Sequence, residues 1–243
     1  MATGTGFTLE IAANSLESAL AAQEGGADRI ELCENLGEGG ATPSYGTLAI
    51  ARERLQIPLY VLIRPRGGDF VYSPAEWDVM QRDVELCVQL GCDGVVIGAL
   101  TPRGEVEWAG CSGLIAAAGT LGVTFHRAFD CVPDPAAALE QVVGLGCERI
   151  LTSGGRDDAL QGADSIAEMA VQAAGRLSLM AGAGLTPDNL AEVAQRTGVR
   201  EFHASAKALM PGIAPVKAPQ GLPPGYWRSS AQQVRRLRAS LQA

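Results

Sequence analysis

The chain has 243 residues, 47% of them hydrophobic, a formal net charge of -8 and six cysteines. That length suits one barrel-sized domain or two small ones, and the apolar fraction excludes disorder as the default. The acidic balance argues against nucleic acid as a partner, because phosphate binding relies on surplus Lys and Arg. No apolar run approaches the roughly 18 residues that span a bilayer, so no membrane partner is expected. Met1 to Gly6 carries neither the charges nor the apolar stretch of a signal peptide, and the cysteines contain no C-x-x-C pair. The expectation is a cytoplasmic protein with reduced thiols. Arg228, Arg235, Arg236 and Arg238 form a local basic cluster, read as a solvated helix face.

In chain order, short apolar runs predict strands near 7–12, 28–33, 58–64, 94–98, 121–126, 148–152, 176–181 and 200–205, with a helix after each. Asn14-Ser15-Leu16-Glu17, Ser73 to Glu76 and Ser230 to Gln233 read as helix starts in which a side chain accepts an otherwise unpaired backbone N–H. Thr42-Pro43, Asp134-Pro135 and Thr186-Pro187 place proline where its missing N–H costs nothing. Gly25-Gly26, Gly91, Gly119, Gly146, Gly175 and Gly198 read as the left-handed residues that close helices. A related pattern recurs at Gly26-Ala27-Asp28-Arg29-Ile30, Gly91-Cys92-Asp93, Gly146-Cys147-Glu148-Arg149-Ile150 and Gly198-Val199-Arg200, each time before an even-numbered strand. Eight such units at about 30 residues each predict an α/β fold, a single-domain (β/α)8 TIM barrel over residues 1–243. A Pro/Gly-rich loop at about 207–229, before the last helix, reads as either a lid or a plain surface loop.

Side chains alternate between the two faces of a strand. Leu9/Ile11, Ile30/Leu32, Val61/Ile63, Val123/Phe125 and Phe202 therefore share an outer apolar layer, which turns Glu10, Glu31, Cys33, Arg64, Thr124, His126, Glu201, His203 and Ser205 inward. A barrel interior is ordinarily filled with Val, Ile and Leu, so these residues form either a buried ion-pair network or a site. Glu10 and Glu201 read as structural, with Arg64 expected to neutralise them.

Sites in this architecture sit at the C-terminal ends of the strands. There, Glu31, Arg64, Arg66, His126, Asp130 and His203 are the candidate catalytic residues, since paired acids and imidazoles supply proton donors and acceptors and arginines suit a small anionic ligand. Gly182, Gly184 and Ser205, after strands seven and eight, occupy the place where many barrels bind phosphate. Cys33, inward and near the top, is the candidate metal ligand, because thiolate with imidazole suits Cu(I) or zinc.

Several of these stretches resemble one family. They are Leu9-Glu10 with Ala13-Asn14-Ser15, Gly25-Gly26-Ala27-Asp28-Arg29-Ile30-Glu31-Leu32-Cys33, Gly39-Gly40 with Thr42-Pro43-Ser44, Ile63-Arg64-Pro65-Arg66-Gly67-Gly68-Asp69-Phe70, Thr124-Phe125-His126-Arg127-Ala128-Phe129-Asp130, Ile150-Leu151-Thr152-Ser153-Gly154 and Glu201-Phe202-His203-Ala204-Ser205. In these the chain is similar to the copper homeostasis protein CutC family. The resemblance implies a cytoplasmic barrel, a homodimer or higher homo-oligomer, with a role in copper homeostasis and Cu(I) as ligand. Cys33 matches the family cysteine discussed as a copper ligand, while the second cysteine proposed in some members has no clear match here. The polar mouth keeps an alternative open: an enzyme doing acid-base chemistry on a small anionic or phosphorylated substrate.

Overall fold

A computed structural model describes residues 6–212 and 225–242. Eight parallel strands, β1 (Thr8–Ala13), β2 (Arg29–Leu32), β3 (Leu59–Leu62), β4 (Gly94–Ile97), β5 (Gly122–Phe125), β6 (Arg149–Thr152), β7 (Ser178–Gly182) and β8 (Glu201–Ala204), pair in sequence order, and β8 returns to β1 to close the barrel. Each is followed by one of the helices α1 (Leu16–Gly25), α2 (Tyr45–Arg54), α3 (Pro74–Leu90), α4 (Trp108–Ala118), α5 (Pro135–Leu145), α6 (Ala163–Ala173), α7 (Leu190–Thr197) and α8 (Ala231–Ser240). This is the single-domain (β/α)8 barrel that the alternating pattern predicts. Among the described residues no helix is long and apolar enough to cross a membrane.

The strand phase divides the residues as expected. Leu9, Ile11, Ile30, Leu32, Val61, Ile63, Phe125 and Phe202 are buried in one cluster with the helices, whereas Cys33, Tyr60, Leu62 and Val96 form a separate small cluster inside the barrel. Two glycines make the interior possible. A Cβ on Gly94 would lie 2.2 Å from the Tyr60 ring, and one on Gly122 would lie 2.3 Å from its hydroxyl, so a single tyrosine fills space that three side chains would otherwise contest.

The helix ends follow local chemistry with four exceptions. Ser15 and Asp134 cap α1 and α5, and Ser73 with Glu76 forms a complete capping box on α3. Ser230 precedes α8 but makes no side-chain cap bond. Thr42-Pro43 lies before the true cap, Ser44, and Thr186-Pro187 lies in a turn ahead of α7, where the Asp188 N–H donates to Thr186 Oγ1. In both cases proline rigidifies the approach to the helix rather than its first turn. Gly26, Gly91, Gly146 and Gly198 close helices with positive φ, but at the end of α6 Ala174 takes that role at φ 50°, one residue ahead of Gly175.

The expected 207–229 loop is not irregular throughout. Its two ends, β9 (Lys207–Met210) and β10 (Tyr226–Ser229), pair as an antiparallel ribbon, and residues 213–224, on which the lid reading falls, lie outside the described residues. Ser229 ties the ribbon to the barrel through bonds to Ser18 Oγ and the Ser205 carbonyl.

Candidate functional site

The barrel interior has a charged floor and a less completely paired mouth. At the floor, Arg29 Nε donates to Glu10 and its Nη2 donates to Glu201 at 2.7 Å. Arg149 also donates to Glu201, and it reaches Thr124 Oγ1 at 2.9 Å and Glu148 at 2.8 Å. Both guanidiniums stack on the Tyr60 ring, 5.1 and 5.4 Å from its centroid, while the Tyr60 hydroxyl donates to Glu148. Burial penalises the Glu10 carboxylate, but Arg29 and His203 more than offset this and bring its pKa down to about 2.

This overturns the expected pairing of Arg64 with the glutamates. The neutralising residues are Arg29 and Arg149, at the N-terminal ends of β2 and β6, where strand register sets Glu10 beside Arg29. Sequence reasoning missed both, although Arg29 stands two residues before Glu31 and so shares its inward phase.

Above the floor, His203 stands between two acids. Its Nδ1 bonds Glu10 Oε1 at 2.7 Å, and its Nε2 lies 3.3 Å from Glu31 Oε2. Burial opposes charge on His203, yet Glu31 and Glu10 together raise its pKa. Glu31 has no guanidinium bound to it among the described residues. Burial raises its pKa to about 7, with the Glu10 charge adding to the rise and His203 and Arg29 opposing it. Two neighbouring carboxylates therefore differ sharply: arginine holds Glu10 ionised, whereas burial favours the protonated form of Glu31.

The strand ends open into a cavity of about 540 Å³ whose wall includes Glu31, Cys33, Arg64, His126, Asp130, His203, Gly184 and Ser205. The structure thus brings together most of the sequence-predicted candidates, with two exceptions. Arg66 is absent from that wall: it is bound to Glu76 and Asp69, donates to three loop carbonyls and stacks on Tyr72. Gly182 is also outside it and provides packing space, since a Cβ there would meet Leu151 at 2.4 Å. Asp130 lines the cavity, but its oxygens already accept from Arg127, Thr152 Oγ1, Ser153 and the Gly155 N–H. Its position suits holding the β5 and β6 loops together.

Arg64 and His126 are each 4% exposed. The Arg64 Nη atoms donate to the carbonyls of Glu38, Gly40 and Gly68, and the guanidinium packs over Phe70. It makes no ion pair among the described residues. His126 accepts the Ala128 N–H at Nδ1; burial, then the Arg64 charge, lowers its pKa to about 3, so the ring is neutral.

Cys33 Sγ donates to the Ala13 carbonyl at 3.7 Å, and burial, then Glu31 and Glu34, pushes its thiol pKa up. The thiol is therefore protonated. Cys87, Cys92, Cys111 and Cys147 are buried elsewhere, and Cys131 is exposed. One donor atom each from Glu10, Glu31 and His203 lies within 4.8 Å of the others. Two carboxylates and an imidazole suit a hard or borderline divalent ion better than Cu(I), and one of those carboxylates already binds Arg29.

A closed barrel with acids, imidazoles and an arginine around a cavity at its strand ends is a protein of the (β/α)8 class. The model of the CutC family matches residues 7–208. A family protein CutC of Xylella fastidiosa (strain 9a5c) is 63% identical over 202 residues, 83% of this chain and 76% of the relative. One of Xanthomonas campestris pv. campestris (strain 8004) is 57% identical over 238 residues, 96% of this chain and 98% of the relative. A solved structure of a candidate copper homeostasis protein CutC from Streptococcus agalactiae superposes with a TM-score of 0.79 at 34% identity, covering 82% of this chain and 98% of that one. The chain belongs to the CutC family.

Proposed function

We propose that this protein is an enzyme that uses Glu31 as a proton acceptor and donor on a small anionic substrate held in the strand-end cavity. The observation that carries this is the Glu10–His203–Glu31 chain. Arg29 holds Glu10 ionised, Glu10 orients His203, and His203 faces a carboxyl whose pKa lies at about 7. An acid or base is most effective when its pKa is near the working pH, and a carboxyl raised by burial beside a charged partner in a cleft is a candidate for that role. Arg64, a cation at the cavity wall without a carboxylate partner among the described residues, favours an anion.

The test is a panel of small carboxylates and phosphate esters scored first for thermal stabilisation of the wild type, then for turnover. Glu31→Gln is expected to bind the active compound and to convert it at least about 100-fold more slowly. Full turnover by Glu31→Gln overturns the proposal.

A second reading, Cu(I) binding, draws support from the description of the Streptococcus agalactiae relative and from Cys33 on the cavity wall. A Cu(I) site here would depend on the Cys33 thiolate, because imidazole and carboxylate are poorer ligands for so soft an ion. Under that reading Cys33→Ser weakens Cu(I) at least about tenfold in competition with a chelator of known affinity. The raised thiol pKa and the oxygen-rich surroundings favour the acid-base reading.

A further inference from the structure

His126 lines the same cavity as Glu31 and Arg64, and the Glu10–His203–Glu31 chain does not use it. A neutral imidazole has one N–H and one bare nitrogen. Because Nδ1 accepts the Ala128 N–H, the proton must sit on Nε2, and Nε2 is buried with no hydrogen-bond partner among the described residues. Arg64 Nε and the Tyr72 hydroxyl are buried without partners as well. Unpaired buried donors are costly and uncommon in folded proteins; Tyr72 lies against Arg64 and away from the cavity, so it is the His126 Nε2–H, on a residue of the cavity wall, that points to a ligand oxygen that completes it.

The ring is also held rigidly. A Cβ on Gly98 would fall 2.4 Å from both His126 Cε1 and Nδ1, so the imidazole rests directly on the β4 end. Phe70 packs on it at 5.1 Å between centroids and also lies under the Arg64 guanidinium. The result is a neutral N–H donor of fixed direction next to a positive charge without a carboxylate partner. That combination stabilises an oxygen that becomes negative during a reaction and does not give the oxygen a proton outright.

Resting on the acid-base reading of Glu31, we infer that His126 is the electrophile of an enolisation: its Nε2–H hydrogen-bonds the carbonyl oxygen of a small carbonyl compound whose neighbouring C–H bond faces Glu31. In the forward step the Glu31 carboxylate takes the proton of that C–H. The C–H electron pair becomes the C=C bond, and the carbonyl π pair moves to oxygen, where His126 Nε2–H and the Arg64 charge stabilise it. Glu31 then returns the proton to the same carbon, which restores the original carbonyl, or, in a hydroxy-carbonyl substrate, to the adjacent carbon, while the neighbouring hydroxyl passes its proton to the enolate oxygen and its O–H pair forms the new C=O; neither course needs an oxidant or second reactant. The reaction class is isomerisation, epimerisation or reversible deprotonation of a keto or hydroxy-carbonyl acid.

The probe is oxalate, a planar dianion shaped like the enolate of a small keto acid, titrated into protein carrying ¹⁵N-labelled histidine. Oxalate is expected to move the His126 Nε2 resonance of the wild type. His126→Asn keeps an oxygen able to accept the Ala128 N–H but loses the Nε2 donor, and its oxalate affinity is expected to drop by about tenfold or more. Glu31→Gln is expected to keep oxalate affinity within about threefold, since it removes the base and leaves the oxygen site intact. An unmoved Nε2 resonance in oxalate-saturated wild type, oxalate that does not bind, or equal affinity in His126→Asn overturns the inference. None of these outcomes changes the turnover defect of Glu31→Gln, which stands or falls separately.

Discussion

The floor and the mouth of this barrel contain the same kinds of side chain in opposite states. At the floor, Arg29 and Arg149 meet Glu10, Glu201 and Glu148, and the remaining donors find Thr124 and the Tyr60 face. At the mouth, among the described residues, Arg64 bonds backbone carbonyls and packs on Phe70, His126 keeps an unpaired N–H, and Glu31 lacks a guanidinium. A buried charge with its counter-charge is a structural element, whereas one without it depends on something that arrives from solution. His203 connects the two regions, with one nitrogen on a floor carboxylate and the other facing a mouth carboxyl.

The largest effect expected from this comparison is on Arg29. Arg29→Ala leaves Glu10 and part of Glu201 buried without their cation and should cost roughly 3–5 kcal/mol in urea melts at pH 7. Arg64→Ala removes a cation that no carboxylate balances among the described residues, so the loss is of carbonyl hydrogen bonds and the packing on Phe70, and about 1–3 kcal/mol is expected. Equal losses for the two variants would erase the distinction between floor and mouth.

Glu31→Gln sharpens the comparison through pH. The folded pKa of Glu31, about 7, lies above its ordinary 4.5, so the protonated form is the one the fold prefers. Its contribution to stability is complete below about 4.5 and is lost as pH rises through about 7. The variant does not titrate there. Relative to wild type it should gain stability across that window, and the difference should level off above pH 7. The raised pKa of His203 depends partly on Glu31 and acts in the same direction, so part of the wild-type slope should vanish with the substitution. Melting midpoints at intervals from pH 4.5 to 8 would show this; a wild-type curve parallel to that of Glu31→Gln would mean that Glu31 is not perturbed.

The fold was legible because its signals are local and repeated. Capping side chains such as Ser73 and Asp134, closing glycines such as Gly91, and two-residue alternation in each strand do not depend on distant partners. The same alternation correctly turned Glu31, Cys33, His126 and His203 toward the interior. Which charge meets which was not legible, because pairing across a barrel depends on the height of each residue along its strand. Arg64 sits at the upper end of β3, too high for the floor acids, while Arg29 begins β2 beside Glu10. Arg66 shares the phase of Arg64, but past the strand the chain no longer alternates, and Glu76 at the start of α3 captures it. The β9–β10 ribbon escaped notice because its strands are four residues each and the intervening composition reads as loop.

Gly94→Ala tests whether the floor is as tightly built as its charge pairing suggests. The added methyl carbon would lie 2.2 Å from the Tyr60 ring, and that ring is fixed by Arg29, Arg149 and Glu148, so it cannot swing aside without disturbing them. A loss of roughly 1–3 kcal/mol is expected, as for other overpacked cores. In a Tyr60→Leu background the same substitution should cost less, because the two changes share one space. A double-mutant cycle with no coupling would place the strain elsewhere.

The smallest effect is expected at the mouth, from Cys33→Ser. Cys33 is buried against Tyr60, Leu62 and Val96, and its thiol makes one long bond to the Ala13 carbonyl. Serine is slightly smaller and more polar, and its shorter Cβ–O bond brings the hydroxyl no closer to the carbonyl than the sulfur, so some packing is lost without a better hydrogen bond. The groups are close in size, and a loss of about 1 kcal/mol is expected. Stability and function then separate cleanly at this position. A Cys33→Ser protein that melts like wild type, keeps oxalate and still turns over substrate assigns the thiol to packing. One that melts like wild type but loses tight Cu(I) moves the function of the cavity from proton transfer to metal binding, because no other cysteine thiol is on the cavity wall except the exposed Cys131.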